Sequence, residues 1–320
     1  MKQIGVIGVG GVGGYFGGKL CQLLHRRNDL AVSFLARGSH LAAIQKAGLL
    51  LRSASDGELQ CQPSLATDRI EELPPLDLCL LCVKEFDLPG ALKKLVPKIG
   101  PHTLILPLLN GLDIYERIRS IVESGIVLRA CVYVGTHIQS PGVVSQSGGS
   151  CTILFGPDPR HLARSPDDLF QLFREASIKA EWTTRIDTEI WRKFSFICAF
   201  GLVTSAHGKT LGEVLSDAAL ADEVRTVLEE VISVASALRI PLPGNILAES
   251  FEKARSFPPE TKTSLQRDFE LADKSDERDL FAGTLVRMAR ELQLHVPATE
   301  RLSRKLDERK PRFRQGYPDT

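Results

Sequence analysis

Apolar and polar positions follow two different rhythms along the chain, and the rhythm changes near residue 185. Before that point, short apolar runs that predict buried strands alternate with segments that have apolar residues three and four positions apart, the spacing of a helix. The strands predicted in this part cover residues 4–7, 31–35, 48–52, 60–62, 76–83, 103–108, 127–134, 151–155 and 181–184. Strands that alternate with helices favour an α/β fold with a parallel, doubly wound sheet.

After residue 185 only helical spacing remains, and prolines separate its segments. The helices predicted there cover residues 189–204, 219–238, 246–253, 264–273, 278–292 and 299–309. We therefore expect an α/β domain over residues 1–184 and an all-helical domain over residues 185–310. Residues 311–320 form a basic tail, which we expect to be mobile because chain termini are commonly poorly ordered.

The first predicted strand runs directly into a glycine-rich turn and then a helix. The turn carries the pattern G-x-G-x-x-G at Gly8, Gly10 and Gly13. Between a strand and a helix, such glycines permit a tight turn, close approach of a pyrophosphate and close packing of helix on sheet. The pyrophosphate would meet free N–H groups and the positive end of the helix dipole. The predicted dinucleotide site consists of Gly8, Val9, Gly10, Gly11, Val12 and Gly13.

The end of the second predicted strand indicates which dinucleotide is bound. In dinucleotide-binding folds an acid at this point holds the ribose hydroxyls of NAD, whereas an arginine accommodates the 2′-phosphate of NADP. Ala36 and Arg37 follow the strand here, so no carboxylate stands at its end to repel a phosphate. The sequence therefore predicts NADP(H) as cofactor, with Arg37 as the ligand of its 2′-phosphate.

Two polar residues follow later strands of the predicted sheet. Lys84 comes after the strand at 76–83, and Asn110 comes after the strand at 103–108. Ligands of doubly wound sheets bind beyond the carboxyl ends of the strands. We therefore expect Lys84 and Asn110 near the cofactor or the substrate.

Composition excludes several classes of partner. The 40 Lys and Arg residues nearly balance the 39 Asp and Glu residues, for a net charge of +1. No large field is available to gather nucleic acid or an anionic membrane. No apolar run approaches the roughly 18–20 residues that span a bilayer, and the glycine-broken N-terminus does not have the pattern of a signal peptide. We expect a cytoplasmic protein with a small-molecule substrate.

The seven cysteines show no disulfide framework. Cys79 and Cys82 form a C-x-x-C, but they lie in the strand predicted at 76–83. Positions three apart in a strand point to opposite faces, and no second pair or nearby histidine pair completes a metal site. We expect two buried thiols and no bound metal.

Together these features resemble the ketopantoate reductase (2-dehydropantoate 2-reductase) family over nearly the whole chain. The matching stretches are the glycine loop, Ala36-Arg37-Gly38, the C-V-K ending at Lys84, Asn110-Gly111, Trp191-Arg192-Lys193, Thr263-Ser264 with Asp268, Glu277-x-Asp279 ahead of Gly283, and Val296-Pro297. The family reduces a 2-keto acid with NADPH, in pantothenate biosynthesis. Its members pair a Rossmann-type domain with a helical domain that supplies catalytic and substrate-binding residues, with a pocket between the two.

The resemblance implies a role for each site residue. Lys193 would be the general acid that protonates the carbonyl oxygen, where negative charge develops as the hydride arrives. Glu277 would hydrogen-bond the substrate's hydroxyl, while Asn110 and Ser264 would hold the substrate, Ser264 near its carboxylate. Asp276 is an alternative to Glu277, because the spacing from Ser264 fits the family only after a one-residue shift, whereas alignment on Gly283 favours Glu277.

One departure from the family bears on the substrate. Family members carry asparagines four and eight residues after the catalytic lysine, on the same helix face, and this chain has Ile197 and Gly201 there. Thr204, Ser205 and His207 are nearby polar residues that are candidates for replacement contacts. The hypotheses are therefore reduction of 2-dehydropantoate to pantoate, reduction of another small and less polar 2-keto acid, or a non-catalytic NADP-binding sensor. A homodimer stays open.

Overall fold

The structure, a computed structural model, describes residues 1–162, 165–271 and 275–309. The chain forms two compact units, one ending at Ile186 and one beginning at Asp187. This division lies two residues beyond the boundary predicted from the sequence. The basic tail predicted at 311–320 lies outside the described residues.

The N-terminal unit is built on a six-stranded sheet in which every neighbouring pair is parallel. In spatial order its strands are β5 (Leu65–Thr67), β2 (Ala31–Leu35), β1 (Gln3–Ile7), β6 (Leu76–Leu81), β7 (Ile99–Pro107) and β8 (Ile126–Val127). Helices α1 (Gly11–Cys21), α2 (Gly38–Ala47), α3 (Leu88–Leu95) and α4 (Ile114–Arg119) follow β1, β2, β6 and β7. The chain proceeds to one side of β1 and then to the other, so the order reverses between β1 and β6, where ligands of such sheets bind. This arrangement confirms the predicted Rossmann-type fold.

A second sheet covers the other side of α1. Its order is β10 (Thr136–Ser140), β11 (Val143–Gln146), β3 (Leu49–Ser53) and β4 (Gly57–Cys61). A Cβ on Gly14 would lie 2.6 Å from Val144 of this sheet, and one on Gly17 would lie 2.9 Å from Phe34 of the first. The glycine-rich sequence of α1 therefore lets one helix pack closely between two sheets. Residues 136–146 form an antiparallel hairpin at the edge of this sheet, and its strand β11 pairs in parallel with β3.

A third sheet completes the unit, in the order β13 (Lys179–Trp182), β12 (Thr152–Gly156), β9 (Arg129–Tyr133). Helix α5 (Asp167–Glu175) packs on it, and the ring of its Phe173 lies 6.3 Å from that of Phe155. The single strand predicted at 127–134 is divided between β8 of the first sheet and β9 of this one.

Every regular element in the described part of the C-terminal unit is helical, as predicted. The helices are α6 (Ile186–His207), α7 (Leu211–Ser216), α8 (Ala218–Ala237), α9 (Ile246–Arg255), α10 (Ser264–Glu270), α11 (Thr284–Glu291) and α12 (Pro297–Arg309), with a π-helical turn at Asp279–Gly283. The buried Glu230 of α8 accepts hydrogen bonds from the backbone N–H groups of Ala298 and Thr299, at 2.6 and 2.9 Å. These bonds satisfy donors at the start of α12 that have no partner within the helix. Within the described ranges, no helix combines the length and apolar character needed to cross a membrane.

Candidate functional site

The three glycines of the G-x-G-x-x-G pattern have different surroundings. Gly8 has φ +94°, and a Cβ there would lie 2.8 Å from the backbone nitrogen of Val83. A Cβ on Gly13 would lie 2.1 Å from the carbonyl oxygen of Gly8, so the helix approaches the turn more closely than any side chain permits. A Cβ on Gly10, in contrast, would have no atom within 4 Å. Gly8 and Gly13 thus serve the turn and the packing, and Gly10 borders open space.

The open space beside Gly10 suits a pyrophosphate. Gly10 is the N-cap of α1, whose first turn points N–H groups without intrahelical partners toward that end. Gly11, the next residue, packs against Thr136, and the side chain of Val9 is buried in the core. The helix terminus, its dipole and the missing side chain form a cradle that fits an anionic group.

His40 lies beside this loop and holds the turn that joins β10 to β11, and the sequence offered no signal for it. It is a buried residue of α2, and its Nδ1 accepts a hydrogen bond of 3.0 Å from the backbone N–H of Gly142. Burial lowers the pKa of His40 below its ordinary value of 6.5, an effect that the backbone of Val9 opposes. A neutral imidazole therefore sits between the glycine loop and the turn that joins β10 to β11.

Arg37 lies at the N-terminus of α2 and is exposed, but it has an acidic partner. Its Nη2 is 2.5 Å from Oδ2 of Asp87, and its Nη1 is 3.4 Å from Oδ1. Asp87 follows β6 and is 50 residues away in sequence. The expectation that no carboxylate stands beside Arg37 is therefore wrong, because it considered only the residues next to Arg37 in the chain.

Lys84 and Asn110 lie in the loops that follow the neighbouring strands β6 and β7. Strand β6 ends at Leu81, two residues earlier than predicted, because residues 82 and 83 turn beneath Gly8. Lys84 is exposed at the start of a short 3₁₀ turn, and Asn110 is half-buried three residues beyond the end of β7. Both residues thus belong to the same edge of the sheet as the glycine loop.

An ion-pair network joins these two loops. Arg117 of α4 pairs with Glu85, next to Lys84, and its Nε is 2.9 Å from Oδ2 of Asp113, which follows Asn110. Charged side chains from the loop after β6 and from the segment after β7 therefore hold each other in place.

The cysteines of the C-x-x-C are packed as apolar side chains. Cys79 is buried in β6, and burial raises the pKa of its thiol to about 12. Cys82 lies just beyond the strand, and burial raises the pKa of its thiol as well. Thiols with raised pKa values are poor nucleophiles and poor metal ligands at neutral pH. Among the described residues no group of three or more His, Cys, Asp or Glu side chains is placed to hold a metal ion.

Lys193 lies on the most buried helix of the C-terminal unit. Between residues 194 and 206 every residue of α6 is buried except the half-buried Ile197, one turn after the half-buried Lys193. Trp191 and Phe194 on either side pack together, with ring centroids 6.2 Å apart. The neighbouring Arg192 is exposed and pairs with Glu249 at the surface. Lys193 and Ile197 therefore form a short accessible stripe, which we call the α6 stripe.

Beyond the α6 stripe Gly201 has no side chain and Thr204 and His207 are already bonded, whereas the buried hydroxyl of Ser205 has no hydrogen-bond partner among the described residues. A Cβ on Gly201 would lie 3.6 Å from the Leu265 side chain, an ordinary contact distance. The hydroxyl of Thr204 donates to the Phe200 carbonyl at 2.7 Å and lies 2.9 Å from the Thr263 hydroxyl. His207 lies 2.7 Å from Glu223. Thr204 and His207 thus hold helices together, which argues against their serving as replacement substrate contacts.

The remaining candidate residues of this unit are Ser264, Asp276 and Glu277. Ser264 is exposed as the first residue of α10, and Glu277 is 4% exposed just before the π-helical turn. Both oxygens of Asp276 are held by Arg278, at 2.8 and 2.7 Å. Arg278 also donates to the Leu306 carbonyl at 3.0 Å. Asp276 therefore serves to position Arg278, which in turn holds α12.

Comparison with known proteins gives related sequences of similar length. The chain is 27% identical to YkpB of Bacillus subtilis, an uncharacterized oxidoreductase, over 92% of this chain and 94% of that protein. It is also 27% identical to a 2-dehydropantoate 2-reductase of Mesorhizobium japonicum, over 84% of this chain and 86% of the relative.

Solved structures give the same picture of the fold. A PanE/ApbA family ketopantoate reductase from Ralstonia eutropha superposes with a TM-score of 0.86 at 27% identity, covering 96% of this chain and 98% of its own. A D-mandelate dehydrogenase solved with NADH and anilino(oxo)acetate superposes with a TM-score of 0.82 over 96% of this chain and 98% of its own. Its identity is 20%, so this likeness concerns the fold.

Two family models match successive parts of the chain. The model of ketopantoate reductase PanE/ApbA matches residues 4–160, and the model of its C-terminal domain matches residues 185–310. With the strand–glycine loop–helix at its N-terminus and the helical unit after it, the chain belongs to the ketopantoate reductase family, whose members are oxidoreductases that use a nicotinamide cofactor.

Proposed function

We propose that the protein is an NADPH-dependent reductase of a small 2-keto acid, with 2-dehydropantoate as the leading substrate and pantoate as the product. The observation that carries this proposal is the half-buried position of Lys193 on the α6 stripe, just before the buried stretch of that helix. A half-buried cation has a defined position and can still contact a bound substrate. On this proposal the reaction belongs to pantothenate biosynthesis and takes place in the cytoplasm.

The residues of the N-terminal unit suit the cofactor. The cradle at Gly10 would receive the pyrophosphate, and the guanidinium of Arg37 would bind the 2′-phosphate through two parallel hydrogen bonds. Lys84 and Asn110, at the same sheet edge, would lie near the cofactor, with Asn110 also touching the substrate. When bound, the nicotinamide supplies the hydride.

The residues of the C-terminal unit suit the substrate. Lys193 would donate a proton from Nζ to the carbonyl oxygen as that oxygen gains negative charge, which stabilises the transition state as well as completing the alcohol. Glu277 would accept a hydrogen bond from the substrate's hydroxyl and so orient it. Ser264 would donate a hydrogen bond to the substrate's carboxylate.

A less polar 2-keto acid is a second candidate, supported by the residues that follow Lys193. Ile197 of the α6 stripe is a branched hydrocarbon, and Gly201 lies against Leu265. A site with hydrogen-bonding groups for a hydroxyl rejects an analogue without it by about 10⁴–10⁵, whereas an apolar site distinguishes the two weakly. The ratio of activities on such a pair therefore reports which kind of site this is.

The test is the rate of NADPH oxidation with 2-dehydropantoate and with 3,3-dimethyl-2-oxobutanoate, which differs only by lacking the hydroxyl. A kcat/KM for 2-dehydropantoate at least about 10³ times higher would support the leading substrate, because the hydroxyl would then have a polar partner. A ratio near or below one would assign the protein to a less polar keto acid. Tight NADPH binding without turnover of either acid, or of a wider panel of 2-keto acids, would contradict both and support a non-catalytic NADP-binding sensor.

A further inference from the structure

The pair of Arg37 and Asp87 spans the glycine loop. In the first sheet β2 and β6 lie on either side of β1, so the loop that follows β1 leaves the sheet between their ends. Neighbouring strands are about 4.8 Å apart, which places the ends of β2 and β6 roughly 10 Å from each other. Arg37 follows β2, Asp87 follows β6, and their side chains meet across this gap.

The carboxylate of Asp87 occupies the face of Arg37 that a phosphate would use. Its two oxygens approach the two terminal nitrogens of the guanidinium, at 2.5 and 3.4 Å. This two-pronged geometry is the one that arginine offers to carboxylates and phosphates alike. One guanidinium edge cannot hold both partners, so a 2′-phosphate must displace the carboxylate.

We infer that Asp87 competes with the 2′-phosphate of the cofactor for Arg37 and thereby sets how strongly the protein prefers NADPH over NADH. The inference rests on the proposed assignment of Arg37 to that phosphate. A dinucleotide with a 2′-phosphate must break the pair and then lies close to a carboxylate, whereas a dinucleotide without it leaves the pair intact. Asp87 is therefore a specificity-determining residue that reduces the preference for NADPH.

The surroundings of the pair allow this exchange. The side chain of Arg37 is 73% exposed, and exposed ion pairs contribute little to stability, so the pair opens at small cost. Asp87 is the N-cap residue of α3, yet its side chain makes no capping hydrogen bond to that helix. Replacing Asp87 by asparagine therefore removes the charge without removing a cap.

Binding of two adenosine fragments tests the inference directly. The probes are adenosine 2′,5′-bisphosphate and adenosine 5′-monophosphate, which differ only in the 2′-phosphate, and their dissociation constants are measured by titration calorimetry. Asp87→Asn should bind the bisphosphate about three- to tenfold more tightly, because one exposed charge–charge repulsion is removed. Its affinity for the monophosphate should change less than about twofold.

A matched control is available at the opposite end of β2. Asp29 forms a similar exposed pair with Arg27, 2.9 Å long, but it precedes β2 and so lies roughly 17 Å away along that strand. This distance exceeds the Debye length of about 10 Å at 0.1 M salt. Asp29→Asn removes the same charge and should leave both dissociation constants unchanged.

Two further measurements separate competition from other effects. The gain in Asp87→Asn should shrink as salt is raised, since the pair lies at the surface with the Arg37 side chain 73% exposed. Arg37→Ala should weaken the bisphosphate far more than the monophosphate, and Asp87→Asn should give a smaller gain in that background.

Three results would overturn the inference. Unchanged bisphosphate affinity in Asp87→Asn, while Arg37→Ala still weakens it, would show that Asp87 does not compete and would leave the proposed cofactor intact. Weaker binding of the monophosphate in Asp87→Asn would show that Asp87 holds the ribose hydroxyls instead. Equal effects of Arg37→Ala on both probes would remove the 2′-phosphate assignment itself. None of these measurements involves a keto acid, so the proposed reductase activity is tested separately.

Discussion

Lys193 acquires its position from the residues around it. In the sequence it follows another cation, Arg192, and nothing in that pair distinguishes the two side chains. In the structure Arg192 is exposed and paired with Glu249, whereas Lys193 lies half-buried on the α6 stripe, and the Trp191 and Phe194 that flank it in sequence are buried and pack together. Burial of the flanking aromatics fixes the rotation of the helix, and that rotation decides which cation is held in place.

Lys193→Ala should lower kcat by about 10²–10⁴, the usual contribution of a positioned general acid. Lys193→Arg should not restore the rate, because a guanidinium keeps its proton near neutral pH and cannot donate it. The measurement is steady-state NADPH oxidation with the best keto acid of the panel. Arg192→Ala is the matched control and should leave kcat within about twofold, since a surface ion pair contributes little. An unchanged kcat in Lys193→Ala would remove this residue from the mechanism.

At the scale of elements, α1 is the helix around which the N-terminal unit packs. One side faces the first sheet at Gly17 and the other faces the second sheet at Gly14, and both contacts are too close for a side chain. The same helix presents its N-terminus at the cradle beside Gly10. Packing and ligand binding thus place different demands on glycines that lie only a few residues apart.

Gly13→Ala should therefore lower the stability of the protein, whereas Gly10→Ala should lower its affinity for the cofactor and leave its stability unchanged. The added methyl of Gly13→Ala would meet the backbone of Gly8 at 2.1 Å, and we expect a loss of about 1–3 kcal/mol in the free energy of unfolding from overpacking. Gly10 has φ −90° and ψ −151°, which alanine can adopt, and its Cβ would touch nothing. We expect its stability to stay within about 0.5 kcal/mol of the parent.

NADPH affinity completes this comparison. The methyl of Gly10→Ala would lie in the cradle and collide with the pyrophosphate. We therefore expect the dissociation constant for NADPH to rise by more than about tenfold, which corresponds to about 1.4 kcal/mol or more of binding free energy. Denaturant unfolding and titration calorimetry measure the two quantities. If Gly10→Ala bound NADPH as the parent does, the pyrophosphate would not lie at this helix terminus.

At the scale of the whole molecule, the N-terminal unit is held together by a buried charge. Asp158 follows β12 of the third sheet and is fully buried. It accepts hydrogen bonds from the Val127 N–H of β8 at 2.9 Å and from the Tyr115 hydroxyl of α4 at 2.7 Å, and it pairs with Arg119. A single carboxylate thus joins the first sheet, the third sheet and the helix between them.

The stability of this unit should fall in acid because of Asp158. Burial alone would raise the pKa of this carboxyl, but hydrogen bonds from its neighbours, beginning with the Arg160 N–H, lower it to about 2 from the ordinary 3.8. Below pH 3.8 the unfolded chain takes up the proton first, so this stabilisation is present above about pH 4 and is lost as the pH falls toward 2.

Denaturant unfolding between pH 5 and pH 2 measures this effect in the parent and in Asp158→Asn. The variant should be less stable at pH 5, and its stability should change less between pH 4 and pH 2. The exposed Asp68→Asn serves as the control and should follow the parent. If the free energy of unfolding of the parent fell with pH as slowly as that of Asp158→Asn, Asp158 would not be the source of the acid sensitivity.

Much of the fold and part of the site follow from local sequence. The strand, glycine loop and helix are consecutive, so their residue pattern alone predicts the turn at Gly8 and the opening at Gly10. The end of β2 likewise points to Arg37, and helical spacing predicts the second unit. The roles of Lys193 and Glu277 came from resemblance to a family. A single lysine on a helix and a glutamate in a run of charged residues are common at protein surfaces, so their spacing alone does not indicate a catalytic role.

Other features depend on residues that are far apart in the chain. The partner of Arg37 is 50 residues away, and the hairpin at 136–146 pairs with β3, which lies far earlier in the chain. The hydrogen bond that His40 accepts from Gly142 and the bonding of Asp276 to Arg278 are likewise contacts that no local pattern contains.

The sequence by itself determined most of the strands and helices, where the dinucleotide loop begins and which family the chain resembles. These properties depend on side-chain periodicity and on glycine, both of which act over a few neighbouring residues. Only the tertiary structure decided that Asp87 faces Arg37, that Asp276 is bonded to Arg278 and that Lys193 is half-buried whereas Arg192 is exposed and paired with Glu249. Each of these depends on which distant segments pack together, because ion pairs and burial are set by distance in space and not by distance along the chain.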